Sequence, residues 1–230
     1  MQTDNICQSH FDKKANGWSL LYKKHSFHDR LNLFTDNLTE VLKPPARILD
    51  YGCGSGVISL RLAELGFDVV GVDAAKGMIT EANKARVQSG YKNVKFTLIN
   101  PDTFIPDHST YDAVICSSVI EYVVNDEELL ALLCQSIKQG GYILFSVPHK
   151  SSIIGLIEDV LVYVGLRKSD IIFSKRRYKL HYIVKFLSGL SLNSFKHVYF
   201  ELPMLGKFGV FCSRYKYIGV MVLIRSQKVI

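Results

Sequence analysis

Residues 48–56 read Ile48-Leu49-Asp50-Tyr51-Gly52-Cys53-Gly54-Ser55-Gly56, and they decide the fold of this chain. An apolar run meets an acid and then three glycines at alternate positions. Ile58, Leu60, Leu62, Ala63 and Leu65 follow in a helical pattern. Glycine lets the backbone turn sharply and approach a ligand with no Cβ in the way. The helix start that follows offers free N–H groups. A strand, loop and helix in this order cradle a nucleoside-containing cofactor at the end of a central strand.

Spacing then separates the cofactors. The dinucleotide fingerprint has its third glycine one place later. Here that place is Val57, and the third glycine is Gly56. Asp50, two residues before the first glycine, puts a carboxylate beside the cofactor, which suits an ammonium or sulfonium and repels a pyrophosphate. The loop therefore favours S-adenosylmethionine over NAD. Asp68–Asp73 reads as a buried parallel strand ending in a second carboxylate. An acid in that place accepts hydrogen bonds from both ribose hydroxyls. Alone, Asp73 reads equally as an N-cap of the next helix.

Residues 46–125 resemble the class I S-adenosylmethionine-dependent methyltransferases. The nearest branch is that of the ubiquinone-biosynthesis O-methyltransferases and related small-molecule enzymes. ILDYGCGSG (48–56), VVGVDAAKGMI (69–79) and YDAVICSSVIEYV (111–123) carry the resemblance.

At 230 residues and 48% hydrophobic content, the chain suits one α/β domain with a substantial core. Met1–Ser9 is polar and does not open as a signal peptide. Cys7, Cys53, Cys116, Cys134 and Cys212 are odd in number and share no ligand spacing, which suggests reduced thiols in a cytoplasmic protein. Charge is uneven: residues 1–150 hold 15 Lys/Arg and 17 Asp/Glu, whereas 151–230 hold 13 and 4. The basic tail reads as a solvated surface or as attraction to an anionic substrate, membrane or nucleic acid.

Strand-like runs stand at Arg47–Tyr51, Asp68–Asp73, Val94–Ile99, Tyr111–Ser117 and Tyr142–Val147. Helical patterns at Val57–Leu65, Lys76–Gln88 and Asp126–Lys138 separate them, so a parallel sheet with helices on both faces is expected. Asn193–Leu202 and Tyr217–Arg225 are β-rich with no good helix between them. Phe11, Trp18, Leu21, Tyr22, Leu31, Leu33 and Phe34 predict one or two amphipathic helices before Pro44. The resemblance completes this as a Rossmann-like, doubly wound seven-stranded sheet, mostly parallel with an antiparallel C-terminal strand. It implies a single domain over 1–230: an N-terminal helical cap at 1–45, a cofactor-binding core at 46–149, a substrate-side insertion at 150–192 and a C-terminal β-hairpin at 193–230.

The resemblance also implies site residues. Arg30 would hold the cofactor carboxylate, and Met78 would pack on the adenine face. The family usually has Gly-Asp-Ala after the third strand, where this chain has Ile99-Asn100-Pro101. The Asn100 amide oxygen can still accept from the adenine amino group. Pro101 has no N–H to donate, so Asp102 and Thr103 take over or the contact is missing. The expected cofactor set is Arg30, Asp50, Gly52, Cys53, Gly54, Gly56, Asp73, Ala74, Met78, Asn100, Pro101, Asp102 and Cys116. The ubiquinone-type Glu-x-x-Glu-His is reduced here to Ser118, Glu121 and Tyr122. One carboxylate is a poor site for a hard dication, so no metal is expected.

His149 follows the fifth strand at the ligand-binding sheet edge and is the candidate base for a phenolic acceptor, against a plain surface histidine. Ser151–Leu166 is richly apolar, with Lys168, Lys175, Arg176, Arg177, Lys179 and Lys185 next. It reads as a core helix, or as a flap with a basic rim over a lipophilic acceptor or an anionic membrane. The expected function is O-methylation of a small lipophilic or aromatic hydroxylated acceptor. The rivals are N- or C-methylation, an NAD-dependent oxidoreductase, a nucleic-acid methyltransferase and a binding-only protein.

Overall fold

A computed structural model describes residues 5–166, 174, 176–202 and 206–229. Four short runs rich in β-branched and aromatic residues form parallel strands: Arg47–Tyr51 (β1), Asp68–Asp73 (β2), Val94–Leu98 (β3) and Tyr111–Ser117 (β4). Ile137–Pro148 (β5) pairs parallel with β4. Leu192–Phe200 (β6) and Met221–Lys228 (β7) are antiparallel to each other, and β7 lies between β5 and β6. The order is β3-β2-β1-β4-β5-β7-β6. The chain winds outward from β1 to β3, then restarts at β4 on the other side of β1. Between β1 and β4, the flanking loops diverge and leave a crevice for a ligand.

Seven helices of the described residues flank this sheet or cap it, and an eighth joins the last two strands. Asn5–Lys14 (α1) and His25–Thr39 (α2) come first, with a 3-10 turn at Trp18–Lys23 between them. Val57–Glu64 (α3), Lys76–Ser89 (α4) and Asp126–Ser136 (α5) connect the parallel strands. Ile153–Tyr163 (α6) and Leu180–Gly189 (α7) fill the insertion, and Gly206–Cys212 (α8) lies between β6 and β7. Because helices cover both faces, β1 is buried from Ile48 to Tyr51. Ile58 and Leu62 of α3, with Phe34 and Leu38 of α2, pack on one face. Leu129 and Leu133 of α5 pack on the other, beside Val114 and Ile143. Asp126, Glu127 and Glu128 place negative charge in the first turn of α5, where the helix dipole favours it.

The structure corrects two sequence boundaries and adds one helix. The helix expected to reach Lys138 ends at Ser136, because Ile137 already pairs with Tyr111 and opens a longer β5. The last strand starts at Met221 and not Tyr217, since residues 215–219 form turns on the Tyr215 carbonyl. A helix does join β6 to β7; Gly206 and Gly209 in it are poor helix formers and hid it from propensity.

The N-terminal cap is bound to the C-terminal strands. The Arg214 guanidinium donates to both Asp29 carboxylate oxygens, at 2.9 and 2.5 Å. Arg225 Nη1 donates to the Asn37 carbonyl at 2.8 Å. In the insertion, α6 is not a core helix. Ser152 Oγ caps it by accepting from the Gly155 N–H. Its Ile153, Leu156, Ile157 and Val160 are more than half exposed, Ile154 is half-buried, and Gly155 and Glu158 are buried. The expected basic rim is partly spent inside the fold. Arg177 donates to both Asp159 oxygens at 2.7 Å, and Arg176 pairs with Asp126 at 2.9 Å. Lys179 and Lys185 are exposed, while Lys168 and Lys175 lie outside the described residues.

Candidate cofactor and acceptor site

A cavity of about 910 Å³ opens at the C-terminal ends of β1, β2, β4 and β5, under α1 and the 3-10 turn. The glycine loop forms its floor. The Gly52 and Cys53 N–H groups donate to the Val72 carbonyl at 2.8 and 3.0 Å, which joins the loop to β2. Gly54 N–H donates to Asp73 Oδ2 at 2.8 Å, and Asp73 Oδ1 accepts from Ala75 N–H at the same distance. The N-cap of α4 is Ala75, whose N–H Asp73 holds, and the Asp73 carboxylate lines the cavity. Asp73 is therefore not the N-cap that the sequence also allowed. A carboxylate has about four acceptor positions, so acceptor capacity remains for a ligand.

Gly54 and Gly56 differ in role. A Cβ on Gly54 would have only ordinary contacts, the nearest being Trp18 Nε1 at 3.6 Å, so the space above it belongs to the cavity. A Cβ on Gly56 would stand 2.5 Å from Phe96 Cζ, inside the protein. Gly56, at φ +79°, lets α3 pack closely on β3 and does not line the cavity. Its assignment to the cofactor is corrected accordingly.

Arg30, Asp50, Gly52, Cys53, Gly54, Asp73, Ala74, Met78 and Pro101 all line the cavity. Cys116, Asn100 and Asp102 do not. Side chains alternate along a strand: Ser117 faces the cavity, and Cys116 is buried among Tyr51, Ile120 and Phe145. Asn100 Oδ1 accepts from the Asp102 N–H at 3.0 Å in a local turn, so that amide is spent on its own backbone. Ile99 and Pro101 leave the end of β3 apolar. His149 is also corrected. Pro148 reaches the cavity wall, and the next side chain turns away. The His149 ring is 1% exposed and lies 4.8 Å from the Tyr199 ring centroid. Burial lowers its pKa, and the Lys216 backbone accepts its hydrogen bond.

Burial sets the electrostatics. Asp50 is 1% exposed, and its carboxyl is pushed up to about 7 by burial, with Asp73 adding repulsion; Ser59 Oγ donates to it at 2.5 Å. Glu121, 2% exposed, is pushed up to about 8 by burial, and its Oε2 has no hydrogen-bond partner. Arg30 pairs with Glu201 and lies 5.0 Å above the Phe27 ring centroid; its Nε has no partner. Glu201 thus occupies part of the guanidinium expected to hold the cofactor carboxylate.

The roof comes from the N-terminal segment, expected as a helical cap, and its aromatic contacts are what the sequence left unread. Phe11, Trp18, Phe27, Tyr22 and Tyr122 form a continuous edge-to-face chain with centroids 5.3–6.1 Å apart. Gln8 Nε2 donates to the Ala74 carbonyl at 2.7 Å and Asp12 Oδ1 accepts from the Gly77 N–H at 2.5 Å, tying α1 down across the cofactor end. The uneven aromatic spacing of residues 11–27 was the available signal. Among the described residues, no three His, Cys, Asp or Glu side chains are grouped as metal ligands. The exposed glycine-loop backbone, the free space over Gly54 and the flanking carboxylates fit S-adenosylmethionine.

Known proteins share this architecture. A family described as a methyltransferase domain matches residues 42–185. The ubiquinone biosynthesis O-methyltransferase of Photobacterium profundum is 29% identical over 146 residues, which is 61% of each chain. The enzyme of that name from Rickettsia canadensis is 36% identical over 114 residues, 48% of this chain and 47% of its own. The chain thus spans about two-fifths to three-fifths of the length of the curated relatives it matches. Magnesium protoporphyrin IX methyltransferase from Synechocystis PCC 6803, solved with bound SAH, superposes with a TM-score of 0.70 over 97% of this chain and 98% of its own, at 18% identity. With its glycine loop, its two strand-end carboxylates and its β7 inserted beside β5, the chain belongs to the methyltransferase domain family, whose cofactor is S-adenosylmethionine.

Proposed function

We propose that this protein transfers the methyl group of S-adenosylmethionine to a hydroxyl oxygen of a small, lipophilic aromatic acceptor. The observation that carries this reading is the extent of the cavity. It continues past the Gly52–Gly54 cradle to Val119, Tyr122, Val123, Pro148 and Val162, an apolar and aromatic wall at the ends of β4 and β5. The names of the matched relatives support the hydroxylated aromatic class.

Asp73 holds the ribose hydroxyls, Asp50 faces the cationic end of the cofactor, and Arg30 Nε is the donor left for its carboxylate. Met78 packs on the adenine, next to Ile99 and Pro101. When bound, S-adenosylmethionine supplies a methyl group already activated on a sulfonium. Trp18, Phe11 and Tyr122 exclude water from the acceptor, which raises the strength of every charge interaction inside. No metal takes part, and turnover survives EDTA. A large loss on chelation, restored by magnesium, would refute that point.

The insertion deepens the acceptor class. Along α6, Ile153, Leu156, Ile157 and Val160 face out, while Glu158 and Val162 line the cavity. Lys150 precedes this helix, and Lys216 adjoins Tyr217, whose carbonyl accepts from Ile153 N–H; both lysines are exposed. Apolar and basic groups together suit an anionic membrane surface, from which a lipophilic acceptor would be drawn. Among the described residues, no helix is long and apolar enough to cross a membrane. The test of the main reading is calorimetric titration with S-adenosylmethionine and NAD, followed by transfer of a labelled methyl group to a panel of catechols, amines and oligonucleotides. Transfer to catechols is expected; transfer to amines alone would replace O- with N-methylation.

A further inference from the structure

We propose that Glu121 is the base that takes the hydroxyl proton of the acceptor, an inference that rests on the O-methylation reading above. Glu121 stands in a 3-10 turn, Ile120–Tyr122, directly after β4. The glycine loop and Asp73 lie at the ends of β1 and β2, so the cofactor occupies that half of the crevice. The end of β4 lies on the other side of β1, in the half left for the acceptor.

A base needs a free lone pair within reach of the proton. Among the described residues, Glu121 Oε2 is the one buried carboxyl oxygen without a hydrogen-bond partner. Glu158 of α6 also lines the cavity and has an interaction of its own, and the other acids there are committed. Ser59 binds Asp50, Gly54 and Ala75 bind Asp73, and Arg30 binds Glu201. The Tyr22 hydroxyl is pushed up to about 12 by burial and holds its own proton too tightly. His149 faces away from the cavity, as described above.

Groups from several elements face Glu121. Arg30 of α2 attracts its charge and Glu201 after β6 repels it, while Cys116 of β4 and Tyr178 of the insertion also feel it. Burial outweighs Arg30 and sets the carboxyl at about 8. That value lies between an ordinary carboxylate and a phenol of about 10, which is the range a base for this proton needs. The acceptor's O–H proton moves to Glu121 Oε2. The electron pair freed on oxygen forms the new O–CH₃ bond, and the pair of the broken C–S bond stays on sulfur. The sulfonium charge and the carboxylate charge are thereby both cancelled.

The test uses the full chain, S-adenosylmethionine and two probes, 4-methylcatechol and 4-nitrocatechol. The nitro group makes the second probe acidic enough to ionise without a base. Glu121→Gln keeps the size of the side chain and removes its basicity. Its rate on 4-methylcatechol should fall by roughly 10²–10⁴-fold, with a far smaller loss on 4-nitrocatechol. Its affinity for S-adenosylmethionine, by calorimetry, should match wild type. A carboxyl infrared band titrating near pH 8 should be present in wild type and absent from the variant. Should the variant misfold, the wild-type pH profile serves: the rate on 4-methylcatechol should rise through about pH 8 while that on 4-nitrocatechol stays level. Equal losses on both probes, no loss at all, or level profiles for both would overturn the proposal and leave O-methylation standing. A wild-type protein that methylates neither probe overturns both.

Discussion

The Gly54 N–H donates to Asp73 Oδ2 at 2.8 Å, so the glycine loop of β1 and the carboxylate of β2 are one unit. The ligand cradle is therefore held in shape before any ligand arrives. Asp73→Ala removes this bond, the bond to Ala75 and the acceptor proposed for the ribose. Charge-assisted hydrogen bonds are worth roughly 1.5–3 kcal/mol each. The Kd for S-adenosylmethionine should rise by at least about tenfold, since tenfold corresponds to about 1.4 kcal/mol. Asp73→Asn, which keeps one acceptor oxygen, should lose less. An unchanged Kd in titration calorimetry would remove Asp73 from the site.

Two glycines of one loop should fail in different ways. Gly54→Val carries the strain of a φ of +54° but meets no clash in the cavity above it, so it should fold less stably than wild type and should not bind S-adenosylmethionine. Gly56→Val should unfold at lower temperature, because its Cβ would meet Phe96 at 2.5 Å with φ at +79°. Overpacking costs about 1–3 kcal/mol, and left-handed backbone adds about 1–2 kcal/mol for a residue with a Cβ. Thermal melts with and without cofactor separate the two. A stable Gly56→Val that loses only binding would return Gly56 to the cofactor.

Those glycines show what the sequence could tell. The run from Ile48 to Gly56 and the acid at Asp73 are local patterns, and their places on strand, loop and helix follow from periodicity. Which glycine faces a ligand depends on Phe96, 40 residues away, and no spacing reveals that. The same holds for Arg30, whose partner Glu201 is 171 positions distant. His149 was misplaced by a single residue of strand alternation, because the point where β5 ends was set by pairing with β7. Trp18 and Phe11 were legible as packing residues, but what they cover comes from the tie between Asp12 and Gly77.

Asp50 should make cofactor binding depend on pH. Its folded carboxyl is raised from 3.8 to about 7. Between those values the cofactor-free protein keeps a proton that the unfolded chain has lost. The stability this contributes is complete below about pH 4 and is lost as pH rises through about 7. Three units at 1.36 kcal/mol each give about 4 kcal/mol. Asp50→Asn should therefore flatten this part of the stability profile. A cationic cofactor favours ionised Asp50, so its affinity should rise with pH up to about 7 and then level. Binding below that pH should release a proton, which calorimetry in two buffers of different ionisation enthalpy measures. Affinity independent of pH would show that Asp50 does not sense the cofactor's charge.

The helix α6 gives the last prediction. Its exposed Ile153, Leu156, Ile157 and Val160 continue into Tyr163, which is 92% exposed, and Lys150 and Lys216 flank its start. The protein should sediment with vesicles containing phosphatidylglycerol more than with pure phosphatidylcholine. Each lysine near such a surface contributes about 1 kcal/mol. That part should weaken with salt, because the Debye length falls from about 10 Å at 0.1 M to about 3 Å at 1 M. Apolar insertion should leave a remainder that salt does not remove. Leu156→Glu with Ile157→Glu should abolish the remainder, and Lys150→Glu with Lys216→Glu should abolish the salt-dependent part. None of the four side chains lines the cavity, so S-adenosylmethionine binding should be unchanged in both variants. If wild type ignores anionic vesicles even at low salt, the outward apolar face of α6 has another partner, and the acceptor reaches the cavity through water.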